Sequence, residues 1–258
     1  MKTGWVLFRK EWLELTRNYK LIWMPIVFIL LGLTEPLTAY YLPDILQSVG
    51  DLPEGTVIEI PTPSSEEVFV STISQFNTFG ILLIAFGFMG VIAGERKSGN
   101  AVMVLVKPVS YVAYIYSKWF AVVVLVWISY GLGMISSWYY IHLLFDGISF
   151  TAFMEGFLVY GLWLTFILTV VVFFSSLVKT PGIAAFFTIS LSIFLTVVSG
   201  YLRERFKWSP GQLSNYVNEI ILHNTWPDHL TGSIVLTILL SLSILFITPY
   251  LFRRKELS

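Results

Sequence analysis

The chain has 258 residues, of which 56% are hydrophobic before glycine is counted and only 12% are charged. A soluble domain carries about 45–50% apolar residues with glycine included, and about 25% charged ones, so length here counts membrane spans rather than globular domains. The lack of cysteine excludes a disulfide framework, a thiol nucleophile and thiolate metal sites, and a formal net charge of zero informs only through its distribution along the chain.

Residues 2–20 read as a helix lying on the membrane surface. Trp5, Phe8, Trp12, Leu15 and Tyr19 recur at helical spacing on one face, and Lys2, Arg9, Lys10, Arg17 and Lys20 populate the rest. Aromatic residues against basic ones suit the headgroup boundary of an anionic leaflet. The competing reading, an amphipathic helix docked on a partner in water, fits less well because an apolar run begins at once at Leu21. The polar lead containing Glu11 and Glu14 is too long for a cleavable signal, so the first span is read as retained.

Six segments reach the roughly 20 residues needed to cross a bilayer core: 21–42, 73–93, 119–142, 156–178, 182–202 and 230–252. Pro25 and Pro36 fall inside the first and Pro249 near the end of the last, breakers that membrane helices tolerate when neighbours satisfy the freed carbonyls. Gly90 and Gly94 form a small-xxx-small pair that would let another helix approach. With the N-terminus inside, thirteen of the sixteen basic residues fall on the inner side, and Arg203, Arg205 and Lys207 remain outside. This is the positive-inside pattern. It predicts a multi-pass protein of the cell membrane, a prokaryotic plasma membrane, with both termini cytoplasmic.

The predicted outer loop 43–72 is acidic, with Asp44, Asp51, Glu54, Glu59, Glu66 and Glu67, and proline-rich. It reads as irregular apart from a short strand at Thr56–Ile60, its acids serving solubility and topology rather than cation capture. The second outer segment, 203–229, is more ordered. Ser209 is placed as an N-cap, Pro210 at the first helical position and Gln212 as the partner in a capping box. Leu213, Tyr216, Val217, Ile220 and Ile221 then mark the stripe of an amphipathic helix, suited either to lid an outer opening or to pack across outer helix ends.

No catalytic constellation emerges. A phosphate-binding loop needs lysine and a hydroxyl after its second glycine. Gly94 and Gly99 have the spacing, but Asn100 and Ala101 stand in those places. Glu66-Glu67 lacks the arginine four residues on that a paired-glutamate membrane protease carries; Ser71 is there instead. His142, His223 and His229 show no metal-ligand spacing. Glu35 is the carboxylate inside a span. An ionisable group at a helix centre costs about 3 kcal/mol, while each large apolar residue returns about 0.3–0.6 kcal/mol, so the helix still inserts. Such a group marks a pathway or a wet cavity, or else bonds a neighbouring hydroxyl structurally, and both readings stand.

The stretch 94–118, GERKSGNAVMVLVKPVSYVAYIYSK, is the long polar and basic interruption between the second and third spans. Gly94-Glu95-Arg96-Lys97-Ser98-Gly99, the apolar run that follows, Lys107-Pro108-Val109-Ser110 and the later Lys118 resemble the cytoplasmic segment of ABC-2 type permeases, the membrane subunits of ATP-binding-cassette transporters. Asn100 and Val102 depart from that family's pattern, where threonine and a polar residue are usual. The resemblance extends to the interface helix, the span count and the outer helix, and so covers essentially the whole chain.

The resemblance implies an all-α membrane protein with a single permease domain over 1–258: six transmembrane helices, an N-terminal amphipathic interface helix, a cytoplasmic coupling helix between spans two and three, and an outer amphipathic helix before span six. It implies an exporter of drugs, peptides, lipids, polysaccharides or ions, working with two ABC-type ATPase subunits and a second permease subunit, identical or not. It implies no cofactor in this chain, since ATP and magnesium belong to the ATPase, and no nucleic acid. The route would be lined partly by spans one, two and five. In the coupling segment Glu95 and Arg96 would anchor by charge pairing, Gly99 permit the turn, Ala101, Val102, Met103 and Leu105 dock on the ATPase, and Pro108 end the helix. An apolar stretch on the water side is itself a mark of a partner. The alternative is a stand-alone secondary transporter or ion channel using Glu35 as its proton or cation site, although the internal repeats usual in such proteins are not evident.

Overall fold

A computed structural model of the chain describes residues 2–49, 62–106 and 109–256. Its elements are α1 (Lys2–Arg17), α2 (Lys20–Val49), α3 (Ser65–Gln75), a π-helical turn (Phe76–Gly80), α4 (Ile81–Phe88), α5 (Ala93–Ser98), α6 (Asn100–Leu105), α7 (Tyr111–Leu144), α8 (Phe150–Leu177), α9 (Pro181–Tyr201), a 3-10 turn (Pro210–Gln212), α10 (Leu213–His223) and α11 (Leu230–Glu256). Among the described residues there is no strand; the strand expected at 56–60 lies outside them. The fold is all-α with six spans, over Lys20–Pro43, Ser65–Ser98, Tyr111–Leu144, Phe150–Leu177, Pro181–Tyr201 and Leu230–Lys255. The chain is a multi-pass membrane protein.

The helices overrun the predicted spans at several ends. At 34 residues α7 is about 51 Å long, well beyond a hydrocarbon core of about 30 Å. The helix is therefore longer than a span requires, and its second turn holds Lys118, which lies inside a helix rather than in a loop. The second span starts at Ser65, so Glu66 and Glu67 open a helix instead of lying in irregular chain. Ser64 caps it: its hydroxyl accepts from the Glu67 N–H at 3.2 Å and the Glu67 carboxylate accepts from the Ser64 N–H at 2.9 Å, a reciprocal capping box.

One box forms and another does not. The Ser209 hydroxyl accepts from Gly211 N–H at 3.3 Å, but the Gln212 side chain turns away and donates to the Ser199 carbonyl at 2.7 Å. The turn after Ser209 is 3-10, and α10 follows it. The stripe Leu213, Tyr216, Val217, Ile220 and Ile221 is buried throughout, packed on α3 and α8. Gly156 of α8 gives it room, since a Cβ there would meet Ile221 and Phe69 side-chain atoms at 3.2 Å.

The core centres on α8, 67% of whose most apolar window is buried, against 22% for α2 and α11 and 28% for α9. Lipid is as apolar as a leucine face, so tight fit rather than water exclusion holds such helices together. The fit here is aromatic. Phe28 of α2 stacks on Phe76 at 5.7 Å, Phe76 meets Tyr130 of α7 edge-on at 5.7 Å, and Tyr130 stacks on Phe157 of α8 at 5.0 Å. Backbones come together at Gly32 of α2 and Gly133 of α7: a Cβ on Gly32 would lie 2.1 Å from the Gly133 carbonyl oxygen. Of the Gly90 and Gly94 pair, only the first meets another helix within this chain. A Cβ on Gly94 would meet nothing within 4 Å, and Gly90 faces the Pro181 ring.

Helix α1 packs along α7, but on a different face from the predicted one. Leu7, Glu11 and Leu15 are buried, Phe8 and Trp12 are half-buried, and Trp5 and Tyr19 are 68% and 69% exposed. The aromatic stripe is thus split between protein and surroundings. The second span is interrupted twice: by the π turn, where the Asn77 side chain accepts from the Trp163 indole at 3.0 Å, and by a break at 89–92 before α5.

Candidate functional site

One end of the bundle gathers α1, α5, α6, the start of α7 and the ends of α8 and α11. The break before α5 exposes backbone donors that a helix would otherwise use. Ser175 of α8 takes them: its hydroxyl accepts from Ile92 N–H at 3.1 Å and Ala93 N–H at 3.0 Å, and donates to the Met89 carbonyl at 2.8 Å. One side chain thereby satisfies three backbone groups at the point where the second span turns into α5.

Glu95 projects from α5 into a buried charge cluster. Lys118, with 0% exposure, places its ammonium 2.9 Å from Glu95 and 2.9 Å from Glu11 of α1. Lys10 lies 2.5 Å from Glu95, 2.9 Å from Glu11 and 2.9 Å from Glu14. The Tyr114 hydroxyl donates to the other Glu95 oxygen. Three carboxylates approach within 4.8 Å, a grouping that could hold a cation, and the Lys10 and Lys118 ammoniums fill that place. Burial alone would lower the Lys10 pKa, but the carboxylates of Glu11, Glu95 and Glu14 override it and hold it well above the ordinary lysine value. Together these contacts tie α1, α5 and α7 into one unit, with both charged partners supplied, as a buried ion requires.

Arg96 points the other way. It donates to the Ser176 carbonyl at 3.0 Å and its guanidinium lies 5.5 Å over the Phe252 ring of α11. Lys255 donates to the Leu177 carbonyl at 2.7 Å, so two cations sit on the last carbonyls of α8, where the helix dipole favours them. Tyr114 stacks on Phe252 at 5.8 Å, which closes the link from α7 to α11.

Gly99 ends α5 with φ 77°, in the left-handed region, where a β-carbon is strained. The chain turns there into α6. Ala101 is buried against the bundle, whereas Met103 is 71% and Val106 81% exposed. The side chains of Val102 and Leu105, and the whole of Pro108, lie outside the described residues.

Glu35 is far from this end along α2. It is half-buried and, among the described residues, has no hydrogen bond or ion pair. The face of α2 toward α4 opens as an apolar groove of about 470 Å³ with Trp23, Leu31, Phe79 and Phe86 on its walls. A second groove, of about 280 Å³, lies between the π turn and α9 and is more polar, with Asn77, Thr78, Ser192 and Thr196.

No family model matches the chain. It is 37% identical over 256 residues, 99% of either chain, to the uncharacterized transmembrane protein YxlG of Bacillus subtilis (strain 168). The chain belongs to the YxlG family.

Sequence reasoning missed Lys118 as a cluster member, and missed Glu11, Tyr114 and Ser175 altogether. The signal for Lys118 was present: a lysine seven residues into a helix that continues as an apolar span must find a partner or leave the membrane. No local pattern announces Ser175, because a serine on a membrane helix far more often bonds its own preceding turn.

Proposed function

We propose that this YxlG-family protein is the permease subunit of an ATP-binding-cassette exporter of the ABC-2 type, driven by separate ATPase subunits. The observation that carries the proposal is the α5–Gly99–α6 element. It is anchored on one side by a buried three-helix charge cluster and offers an exposed apolar tip, Met103 and Val106, on the other. A protein without its own nucleotide site needs such a handle if a motor outside the bilayer is to move it. In this reading the end carrying α1, α5, α6 and the C-terminal Arg253-Arg254-Lys255 is cytoplasmic, in line with the positive-inside rule. Two such chains form the route along the faces of α2, α4 and α9, with Glu35 a candidate lining group.

The test has two arms. The chain has no cysteine, so single cysteines at Ser98 and Trp226 report sidedness: an impermeant thiol reagent added outside should label Trp226→Cys and not Ser98→Cys. Met103→Glu should leave the melting temperature unchanged, because the side chain is exposed, and abolish co-purification with an ABC ATPase expressed from the same cells. Labelling of Ser98→Cys from outside, or ATPase recovery unaffected by Met103→Glu, would overturn the assignment.

A further inference from the structure

At the opposite end of the bundle, the segment Tyr201–Trp208 leaves α9 and carries Arg203, Arg205 and Lys207. Arg203 is ion-paired with Glu219, and the Lys207 ammonium lies 2.9 Å from the Glu204 carboxylate. That pairing, with Lys207 first, holds the exposed Glu204 carboxyl below its usual range and so ionised. The Arg205 side chain is exposed and has no hydrogen bond or carboxylate partner among the described residues. Asp228 stands with Glu204 and Glu219 beside Arg203 and Lys207; of the charged residues that line the groove described next, Glu204, Arg205 and Lys207, the Lys207–Glu204 pair leaves one positive charge, that of Arg205.

Beneath this residue runs a mostly apolar groove of about 510 Å³, walled by Leu195 of α9, Leu236 of α11, Phe206 and Trp208. Gly232 of α11 lets the Trp208 indole sit against the helix, since a Cβ there would come within 2.7 Å of the ring. The floor is set by Ser209, whose carbonyl accepts from Ser233 of α11 at 2.9 Å and whose hydroxyl accepts from Ser199 of α9 at 2.9 Å. Tyr201, Phe206 and Trp208 remain exposed beside the basic residues, the composition that settles at headgroup level.

We propose that this groove is a binding site for one phospholipid of net negative charge. The Arg205 guanidinium takes the headgroup phosphate in its forked donor geometry, and an acyl chain lies between Leu195 and Leu236. The apolar groove requires a hydrocarbon occupant, and the single surplus charge at its rim selects a monoanionic headgroup over a zwitterionic one. The occupant would bridge α9 and α11, two of the least buried spans. The inference depends on membrane residence and not on the exporter role.

The test uses the full chain in detergent, titrated with brominated phosphatidylglycerol or brominated phosphatidylcholine while tryptophan fluorescence is read. Phosphatidylglycerol should quench at lower concentration. Trp208→Phe should remove that component from the signal of the nine tryptophans. Arg205→Gln, at an exposed position without a side-chain partner, should fold normally, raise the phosphatidylglycerol midpoint about fivefold and leave phosphatidylcholine unchanged. Inorganic phosphate should not relieve the quenching. The proposal is overturned if Arg205→Gln leaves the phosphatidylglycerol midpoint in place, if both lipids quench alike in the parent, if Trp208→Phe retains the quenched component, or if free phosphate competes.

Discussion

Replacing Lys118 with methionine removes a charge at 0% exposure that holds two carboxylates, Glu11 and Glu95, each at 2.9 Å. Deleting one partner of a buried pair costs about 3–5 kcal/mol, because the other charge is left in a medium that solvates it poorly. Lys10 still reaches Glu11 at 2.9 Å and Glu95 at 2.5 Å, and Tyr114 still donates to Glu95, so the lower end applies, about 3 kcal/mol. For a chain of this size each kcal/mol moves the melting midpoint by about 2–4 °C, which gives a drop of about 6–12 °C. Melting in detergent measures it. The loss should be local as well: α1 loses its Glu11 anchor, so trypsin should cut after Arg9 or Arg17 faster than in the parent. Adding Glu11→Gln removes the carboxylate that Lys118 had held, one of three then left to Lys10 alone, and should recover part of the loss, a coupling of about 0.5–3 kcal/mol in the double-mutant cycle. A Lys118→Met midpoint within about 1 °C of the parent, with unchanged trypsin cutting, would show that the cluster does not hold these helices.

Ser175→Ala leaves the N–H groups of Ile92 and Ala93 without their acceptor; at about 1–3 kcal/mol for each unsatisfied buried group, the midpoint should fall and amide exchange at these two positions should accelerate. Gly133→Ala drives a methyl to 2.4 Å from the Phe28 carbonyl oxygen of α2, backbone that cannot rotate away, and should cost about 1–3 kcal/mol. The control is Gly131→Ala, where the nearest atoms are Phe157 ring carbons at 3.8 Å and the gain in helix propensity should leave melting unchanged or slightly raised.

The six spans were legible because hydropathy and length are properties of each segment alone. What the segments bury was not. In water an apolar stripe identifies the core face, but beside lipid the outward face is apolar too. Periodicity therefore placed Trp5 and Tyr19 with Leu15, while the structure buries Leu7, Glu11 and Leu15. The charge cluster was hidden for another reason: Lys118 and Glu11 lie 107 residues apart and Lys10 and Glu95 lie 85 apart, distances at which spacing carries no information. Capping shows the same limit at short range. Both Ser64-x-x-Glu67 and Ser209-x-x-Gln212 have the sequence of a capping box, yet only the first forms: the Ser209 N–H donates to the Phe206 carbonyl, the Gln212 amide donates to the buried Ser199 carbonyl, and its oxygen accepts from Asn215. The turn at Gly99 was expected from the resemblance of 94–118 to a coupling segment, whereas the Gly32–Gly133 crossing required knowing which helices meet.

The arrangement at the α5 end determines how a push on α6 would travel under the proposed role. Gly99, with its φ of 77°, is the link between α6 and α5. Beyond it α5 is held at three separate points: Ser175 at its first turn, the Glu95 cluster to α1 and α7, and Arg96 to the end of α8. Two of the three lead to α8, the most buried span, so displacement of α6 would load the centre of the bundle rather than its lipid-facing rim. The cluster would then carry α1 along with it, because Glu11 and Lys10 are bonded to the same groups as Glu95. A rigid α5 with a mobile α6 would transmit force; a mobile α5 would absorb it. Loss of Ser175 or Lys118 should therefore uncouple ATP hydrolysis from export in a complex that still assembles, whereas Met103→Glu should prevent assembly, and measuring ATPase activity and transport side by side separates the two outcomes.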